Sequence, residues 1–482
     1  SPGGGAAACP SAAAGAAGET GCLAGLVGNR SDVGMSVEAV WLPSLLGVIG
    51  GPPLLAWLVP WLLAWLVLEA MWFLVLRWRS KRWRAPLDFA RGDFPPHNRP
   101  PREVLRIMEQ HLSRSREYTE EFFRAWFFGA EWASISRADA EDLMAWLLFQ
   151  RRSSELSSQE RGMIAGSLAR VEAEVGLRWS DQAPCSSARA SKHRFAAHTW
   201  EDACSYNHFP LCAYGVIAVV QGVIDPLVLG ALGFRRFRHG SISYWMRPMR
   251  ARGSGVSDAS AQDAVVWLHG MCPTYLIYAH FLVRLRRETL VLVDMPWVSF
   301  NPFRTRVPPS AEFCDGLDAA LGRQGFDRVC LAAHSYGSFI AAWMLRHPVR
   351  RRIARAAIIA GPAQHLFNPK TCTTVVYGKP YWYEHATAHI FLRQFFWYEC
   401  FFVADDLPEG SLVVISEHDE MIPVQDVVKD CAQHGVSCLV LPQQNHGFEL
   451  FWPLSCKRVA DFMLDKIAEA ADGGTAAGAA GS

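Results

Sequence analysis

A long apolar run near the start of the chain limits what it can fold into. Residues 41–68 contain no charged side chain, and residues 54–76 are apolar except for Glu69. A helix needs about 20 apolar residues to cross the hydrocarbon core of a bilayer. Five basic residues follow at once within residues 77–84. The sequence therefore predicts a transmembrane segment with a basic stop at residues 41–84.

The basic stop also predicts an orientation. Segments rich in Lys and Arg stay on the cytoplasmic side of a membrane, so we expect a single-pass protein whose large C-terminal part is cytoplasmic. Two alternatives stay open. Pro52, Pro53 and Pro60 interrupt the apolar run, and such residues bend helices, so the run can also form a hairpin in the membrane. The other alternative is a buried helix of a soluble domain.

Composition excludes several classes of protein. The 482 residues are 50% apolar, which provides a sizeable core. Lys and Arg number 47 against 46 Asp and Glu, and this balance gives no support for a nucleic-acid-binding domain. The 13 Cys are scattered without a C-x-x-C pair, so we expect neither a disulfide framework nor a metal site. No cofactor is expected.

The rest of the chain divides by composition. Residues 1–40 and 470–482 are Ala- and Gly-rich, which predicts a low-complexity disordered N-terminus and a disordered tail. Residues 85–260 form a predicted helical juxtamembrane region, because apolar residues recur there at helical spacing. Its segment 209–234 is again apolar but contains Asp225. A charged side chain inside a membrane is costly, so a buried or surface-associated element is preferred, with a second span as the alternative.

Short apolar runs alternate with helical segments after residue 263. Buried strands separated by helices predict an α/β domain with a mostly parallel sheet, here assigned to residues 261–469. Ligands of such sheets collect at the carboxyl ends of the strands. The predicted strands are 264–269, 289–294, 328–333, 353–360, 411–417 and 436–441.

A serine lies between the third of these strands and the helix that follows it. The sequence there is Ala333-His334-Ser335-Tyr336-Gly337. Small residues two before and two after a serine permit the sharp strand-to-helix turn that exposes a nucleophilic hydroxyl. Ala333 and Gly337 are therefore the predicted elbow residues, and Ser335 is the predicted nucleophile.

The serine needs a base and an acid. His446 follows the last predicted strand and Asp419 the one before it. A histidine activates the serine hydroxyl, and a carboxylate fixes the orientation of the histidine. The chain order Ser, Asp, His is that of one hydrolase architecture. Ser335, Asp419 and His446 are the predicted triad, with Glu417 as an alternative acid.

The loop after the first predicted strand supplies the remaining element. His269-Gly270-Met271 follows that strand, where a backbone N–H is needed to stabilise the developing oxyanion. The second donor is the residue after the nucleophile. The predicted oxyanion hole is therefore the amides of Met271 and Tyr336, with His269 and Gly270 shaping the loop.

With these motifs, residues 264–465 resemble the α/β-hydrolase superfamily. The resemblance rests on WLHGM, AHSYG, SEHDEMIP and QNHG, and it does not extend to the N-terminal 260 residues. It implies an α/β-hydrolase fold with a small cap insert at about 361–410. It further implies a lipase-like or esterase-like serine hydrolase that cleaves a carboxylic ester through an acyl-enzyme.

Some alternatives remain open at this stage. The aromatic run at 381–402 is either ordinary cap packing or an apolar lid for an acyl chain. The domain is either an enzyme acting on a lipid or acyl ester, a thioesterase or acyltransferase, or a non-catalytic binding protein on the same fold. The expected partners are the substrate and a membrane, without nucleic acid. The sequence leaves the oligomeric state open.

Overall fold

The computed structural model describes residues 53–83, 95–179, 205–248, 264–286 and 288–479. The predicted disordered N-terminus at 1–40 lies outside these residues, as does the first part of the apolar run. The predicted tail at 470–482 lies partly within them, because the last helix extends to Ala479. Alanine has the highest helix propensity of all residues, which accounts for helix in an Ala-rich tail.

The core is an eight-stranded sheet flanked by helices. Its strand order is β1-β2-β4-β3-β5-β6-β7-β8, and all neighbours from β4 onward in this order are parallel. This architecture confirms the predicted α/β-hydrolase fold. The strands are β1 Arg235–His239, β2 Ile242–Arg247, β3 Ala264–Leu268, β4 Leu290–Val293, β5 Val329–His334, β6 Ile353–Ile359, β7 Leu412–Ser416 and β8 Ser437–Leu441.

The six predicted strands are confirmed as β3 to β8, whereas the antiparallel hairpin of β1 and β2 was not predicted. β1 is a mostly exposed edge strand that carries three arginines, so it lacks the apolar pattern of a buried strand. The sequence signal for the hairpin is the turn at Gly240, which has a positive φ of 56° and joins the two strands. Charged residues on an edge strand prevent pairing with other chains.

The α-helices lie before, between and after the strands. They are α1 Pro53–Arg82, α2 Pro101–Leu112, α3 Arg116–Trp126, α4 Arg137–Phe149, α5 Ser158–Val175, α6 Leu211–Ala231, α7 Ala279–Arg284, α8 Ser310–Arg323, α9 Gly337–Arg346, α10 His385–Arg393, α11 Val424–Gln433 and α12 Pro453–Ala479. Helix α6 contains one π-helical stretch at Val220–Ile224.

Helices α2 to α5 pack against the hydrolase domain. Their buried apolar side chains join one continuous core with the sheet and the segment that follows β6. Individual contacts fix this packing: the Trp126 indole N–H donates to the Phe367 carbonyl at 2.9 Å, and the Gln150 amide donates to the Phe395 carbonyl at 3.1 Å. The predicted helical region therefore shares its core with the hydrolase domain.

Helix α1 has one buried stripe in the part that follows residue 65. Trp72, Leu76 and Ser80 are buried and lie four residues apart, so they occupy one face of the helix. Trp72 and Leu76 pack against Tyr214 of α6. The other faces expose apolar side chains to the surroundings, and Leu74 is 61% exposed. By length and composition, the stretch Leu58–Arg82 is suited to crossing a membrane.

Helix α6 is also long and apolar enough to cross a membrane. It nevertheless lies along the α/β domain. Before it, the Asn207 amide N–H donates to the Tyr383 carbonyl at 2.9 Å. In its middle, the Gln221 side chain donates to the Pro273 and Ser299 carbonyls. After it, the chain enters β1 of the sheet. Its outward side chains are apolar and exposed, among them Leu227 at 68%. The helix therefore has one side against this domain and an apolar side that is exposed, an arrangement that agrees with the preferred expectation of a buried or surface-associated element.

Glu69 lies where the two apolar helices meet. Its carboxylate accepts hydrogen bonds from the amide N–H groups of Leu211 at 2.8 Å and Cys212 at 3.3 Å. These amides belong to the first turn of α6, which has no intrahelical acceptors for them. The charged residue within the apolar run of α1 thus caps the N-terminus of α6.

Candidate active site

Ser335 lies on a strained turn between β5 and α9. Its φ is 48°, in the left-handed region that non-glycine residues rarely adopt. The turn brings α9 close to β3: a Cβ added to Gly337 would lie 2.2 Å from the Leu268 carbonyl oxygen. Glycine is therefore required at this predicted elbow position. Ala333, the other predicted elbow residue, is buried in β5.

Replacing Gly337 by alanine is expected to destabilise the protein by about 1–3 kcal/mol, because the backbone must move to make room for the added methyl group. Thermal unfolding measures this loss. Gly162 of α5 provides the matched control, since no atom lies within 4 Å of its added Cβ. Gly162→Ala is expected to stabilise the helix by up to about 1 kcal/mol. Equal unfolding temperatures for both variants would contradict the close approach.

The three predicted triad residues lie within hydrogen-bond distance of one another. Ser335 Oγ lies 2.9 Å from His446 Nε2, and His446 Nδ1 lies 2.8 Å from Asp419 Oδ2. The other oxygen of Asp419 accepts from the Met421 and Ile422 amides at 2.8 and 3.0 Å. The carboxylate is therefore held by two backbone donors while it orients the imidazole.

The electrostatics of His446 follow from this arrangement. Burial opposes the charged form, but the Asp419 carboxylate and its hydrogen bond outweigh it and raise the pKa of His446 to about 9. Glu449 and Glu420 add to this effect in the same direction. The site therefore stabilises an imidazolium, which is the form that arises when a histidine takes the serine proton.

The loop after β3 presents one unengaged amide to this site. The Gly270 N–H donates to the Tyr278 hydroxyl at 2.9 Å, and the Cys272 N–H donates to the Val298 carbonyl at 3.1 Å. Within the described part of the chain, the intervening Met271 N–H has no such acceptor, and neither has the Tyr336 N–H. A Cβ on Gly270 would lie 3.0 Å from Ser335 Cβ, so the loop lies directly against the nucleophile.

Buried side chains hold the loop in place. His269 Nδ1 lies 2.8 Å from the Gly270 carbonyl, and its Nε2 accepts from the Met295 amide at 3.3 Å. Burial lowers the pKa of His269 to about 4, which keeps the ring neutral. The sequence analysis missed Tyr278, whose hydroxyl lies between the Gly270 amide and His334 Nδ1 at 3.0 Å. Tyr278 ends a short 3-10 helix, Tyr275–Tyr278, that carries no motif, so no sequence signal marks it.

The alternative triad acid, Glu417, is not beside the histidine. Its carboxylate is exposed and accepts from the Gln443 amide at 2.9 Å, whereas Asp419 contacts His446. Among the residues that the structure describes, no cluster of three or more His, Cys, Asp or Glu side chains is placed to hold a metal ion.

Helix α10, within the predicted cap insert, lies over the loop that follows β3. The Thr387 hydroxyl of α10 lies 3.3 Å from Met271 Sδ, and the ring of Phe391 lies 6.1 Å from that of Tyr336 in an edge-to-face arrangement. Trp397 instead packs between Trp146 of α4 and Phe395, away from the nucleophile. Most of the aromatic run is buried, and Phe391 is its ring that packs against Tyr336 of the elbow.

Comparisons with known proteins add the following. No family model and no curated protein matches the chain. Among solved structures, it is similar to a membrane phospholipase A described as a bacterial virulence factor, with 15% identity, a TM-score of 0.39, and coverage of 53% of this chain and 94% of that one.

Two further solved structures are similar at comparable levels. For naproxen esterase from Bacillus subtilis the identity is 14%, the TM-score is 0.35, and coverage is 51% of this chain and 97% of that one. For a puromycin-hydrolysing peptidase of Mycobacterium tuberculosis the identity is 15%, the TM-score is 0.38, and coverage is 49% and 39%. These values are too low to support any statement about activity or substrate.

Proposed function

We propose that this chain is a membrane-anchored serine hydrolase that cleaves the carboxylic ester of a lipid or another acyl ester. The observation that carries the proposal is the chain of contacts from Ser335 Oγ to His446 Nε2 at 2.9 Å and from His446 Nδ1 to Asp419 Oδ2 at 2.8 Å. The position of Ser335 on a strained turn after a buried strand also supports the proposal, because such turns expose a nucleophile.

The reaction begins when His446 Nε2 takes the proton of the Ser335 hydroxyl while Oγ attacks the ester carbonyl carbon. The carbonyl oxygen becomes an oxyanion that accepts hydrogen bonds from the Met271 and Tyr336 amides. The intermediate then breaks the bond to the alcohol oxygen, which leaves with the proton from His446. A water molecule, deprotonated by His446, attacks the acyl-serine, and the carboxylic acid and free Ser335 are released.

The surroundings of the triad favour a substrate that resides in a membrane. Phe448, Phe451 and Trp452 follow the catalytic histidine closely and are 43%, 47% and 58% exposed. Exposed aromatic groups of this kind mark contact with a partner or a membrane, and Trp is enriched where membrane and water meet. A bilayer in contact with this aromatic cluster would present its ester lipids beside His446.

Labelling of the full-length protein with a fluorophosphonate probe separates the enzyme from a non-catalytic binding protein, because the probe reacts only with an activated serine. Matched oxygen and sulfur esters of one acyl chain then distinguish esterase from thioesterase activity. A wild-type protein that resists the probe and hydrolyses neither ester would overturn the proposal. Transfer of the acyl group to an added alcohol in preference to water would favour the acyltransferase alternative.

We further propose that α1 is the single membrane span, with the hydrolase domain on the cytoplasmic side, and that α6 lies in the interface. The contacts of Asn207 and Gln221 with the hydrolase domain support the second part, because they place one side of the helix against the domain and leave only the opposite side for lipid. An interfacial helix buries its apolar face about 5–10 Å into the bilayer surface, which suits the exposed Leu227 and Val223.

The protein is accordingly expected to remain in the membrane fraction after washing with 1 M salt or with alkaline carbonate, because apolar insertion does not depend on charge pairing. Immunoblotting of the pellet and the supernatant measures this. Protease protection of tags placed at the two ends of the full chain tests the topology. Release by salt alone would contradict the anchor, and a cytoplasmic location of both tags would favour the membrane hairpin over the single span.

A further inference from the structure

A cavity of about 1070 Å³ among the described residues does not include the triad. It is a groove behind the oxyanion loop, bounded by the inner side of α6, the β1–β2 hairpin and the segment between β4 and α8. His269 lines its floor, but neither Ser335 nor His446 does. The proposed hydrolase mechanism therefore does not account for this groove.

Arginines dominate the charge of the groove. Its lining includes Arg236, Arg238, Arg304 and Arg306. Arg236 is paired with Asp294 at 3.1 Å, whereas the Arg238 guanidinium donates only to the Gly240 carbonyl at 3.2 Å. For Arg304 and Arg306, no side-chain partner occurs in the described part of the chain. Three guanidinium groups therefore lack a carboxylate partner there.

The acidic residues of the groove do not neutralise these arginines. Asp225 accepts from the Thr274 hydroxyl at 2.5 Å and the Tyr275 amide at 3.3 Å. Asp294 accepts from the Tyr275 hydroxyl at 2.8 Å as well as from Arg236. Glu312, in the first turn of α8, is the remaining acid of the lining. The three unpaired guanidinium groups thus face one carboxylate that is not otherwise engaged.

The groove lies next to both apolar helices. Ala218 and Gly222 of α6 form part of its wall. Its arginine-bearing segment carries Phe303, which is 78% exposed and whose ring lies 6.0 Å from that of Trp72 in α1. An anion bound here would have apolar and aromatic surface on one side and arginines on the other.

From this arrangement we infer that the groove binds the phosphate of a membrane lipid headgroup, with the apolar part of the lipid lying along α6. Arginine forms bidentate, charge-assisted hydrogen bonds with phosphate oxygens. Its long side chain also reaches from an apolar surface to the headgroup level. The bound lipid is not hydrolysed there, because the groove excludes Ser335. Its role is to hold the hydrolase domain at an anionic bilayer surface.

Isothermal titration of the detergent-solubilised, full-length protein with hexyl phosphate tests the inference. Hexyl phosphate contains no carboxylic ester, so its binding is independent of the proposed hydrolase activity. We expect saturable binding that weakens at least tenfold in the Arg304→Gln/Arg306→Gln double variant, since hydrogen bonds to charged groups contribute this much. Arg323→Gln is the matched control, because Arg323 is exposed at the far end of α8; its affinity should equal that of the wild type.

The competing outcomes are distinct. Hexanol and inorganic phosphate are each expected to bind at least tenfold more weakly than hexyl phosphate. If inorganic phosphate binds as tightly, the assignment to a lipid is overturned in favour of free phosphate. If hexyl phosphate does not bind, or if the double variant binds like the wild type, the site itself is overturned. Arg238→Gln provides a second variant in case the double variant fails to fold.

Discussion

Replacing Ser335 by alanine is expected to abolish labelling by a fluorophosphonate probe and to lower kcat by about a million-fold. The hydroxyl that would form the acyl-enzyme is then absent, and only substrate binding and the two oxyanion amides remain. The fold should persist, because the Ser335 side chain contacts His446 while its amide still donates to the Ile359 carbonyl. Gel fluorescence of the labelled protein and ester turnover measure the two effects.

Ser338 supplies the matched control for this change. Ser338 lies three residues after Ser335, in the first turn of α9. Its hydroxyl accepts a hydrogen bond from the Ala363 amide at 3.1 Å instead of contacting the triad. Ser338→Ala should therefore retain the label, with at most a modest loss of stability. Undiminished turnover in Ser335→Ala, or loss of the label in both variants alike, would remove the basis for assigning Ser335 as the nucleophile.

Replacing Asp419 by asparagine is expected to lower kcat by about 10⁴-fold. The amide is nearly isosteric with the carboxylate, but it carries no charge to stabilise the imidazolium and permits the wrong tautomer of His446. Initial rates of ester hydrolysis, measured after confirming an unchanged circular dichroism spectrum, test this. Glu417→Gln is the control: Glu417 contacts the Gln443 amide, so this variant should keep at least half of the activity.

The pH profile provides a second readout of the same carboxylate. A general base must be neutral, so kcat/KM of the wild type should rise with pH through the pKa of His446 near 9. Because the Asp419 charge raises this pKa, its removal should move the inflection toward the ordinary histidine value of about 6.5. An inflection at the same pH in both proteins would mean that Asp419 does not interact with His446.

The sequence was most informative where chemistry and backbone geometry demand particular residues. Ser335, Asp419 and His446 each follow a strand of a parallel sheet, and the carboxyl ends of such strands meet at one edge. For this reason, the sequence predicts that these three side chains lie close together although they are distant along the chain. The same holds for β3 to β7, because strands that are buried on both faces consist of continuous apolar runs. β8 is only partly buried, but its apolar run also made it predictable.

Packing between segments was not predictable in this way. Helices α2 to α5 show only amphipathic spacing, which reveals that one face is covered but not what covers it. Trp397 belongs to an aromatic run that suggested an acyl-binding lid, yet it packs against Trp146 of α4. Tyr278 and the β1–β2 hairpin were missed for a related reason: Tyr278 carries no motif, and the hairpin has no continuous apolar run and is marked only by its turn at Gly240.

The capping of α6 by Glu69 has a consequence for the synthesis of the chain. The Leu211 amide that it binds lies 142 positions later, and a ribosome working at 5–20 residues per second needs about 7–28 s to add that length. During this interval the Glu69 carboxylate lacks its amide partners, and an unpaired carboxylate is costly to bury. Under the proposed anchoring, which places α6 in the interface, α1 therefore reaches its final depth in the bilayer only after the first turn of α6 has been synthesised.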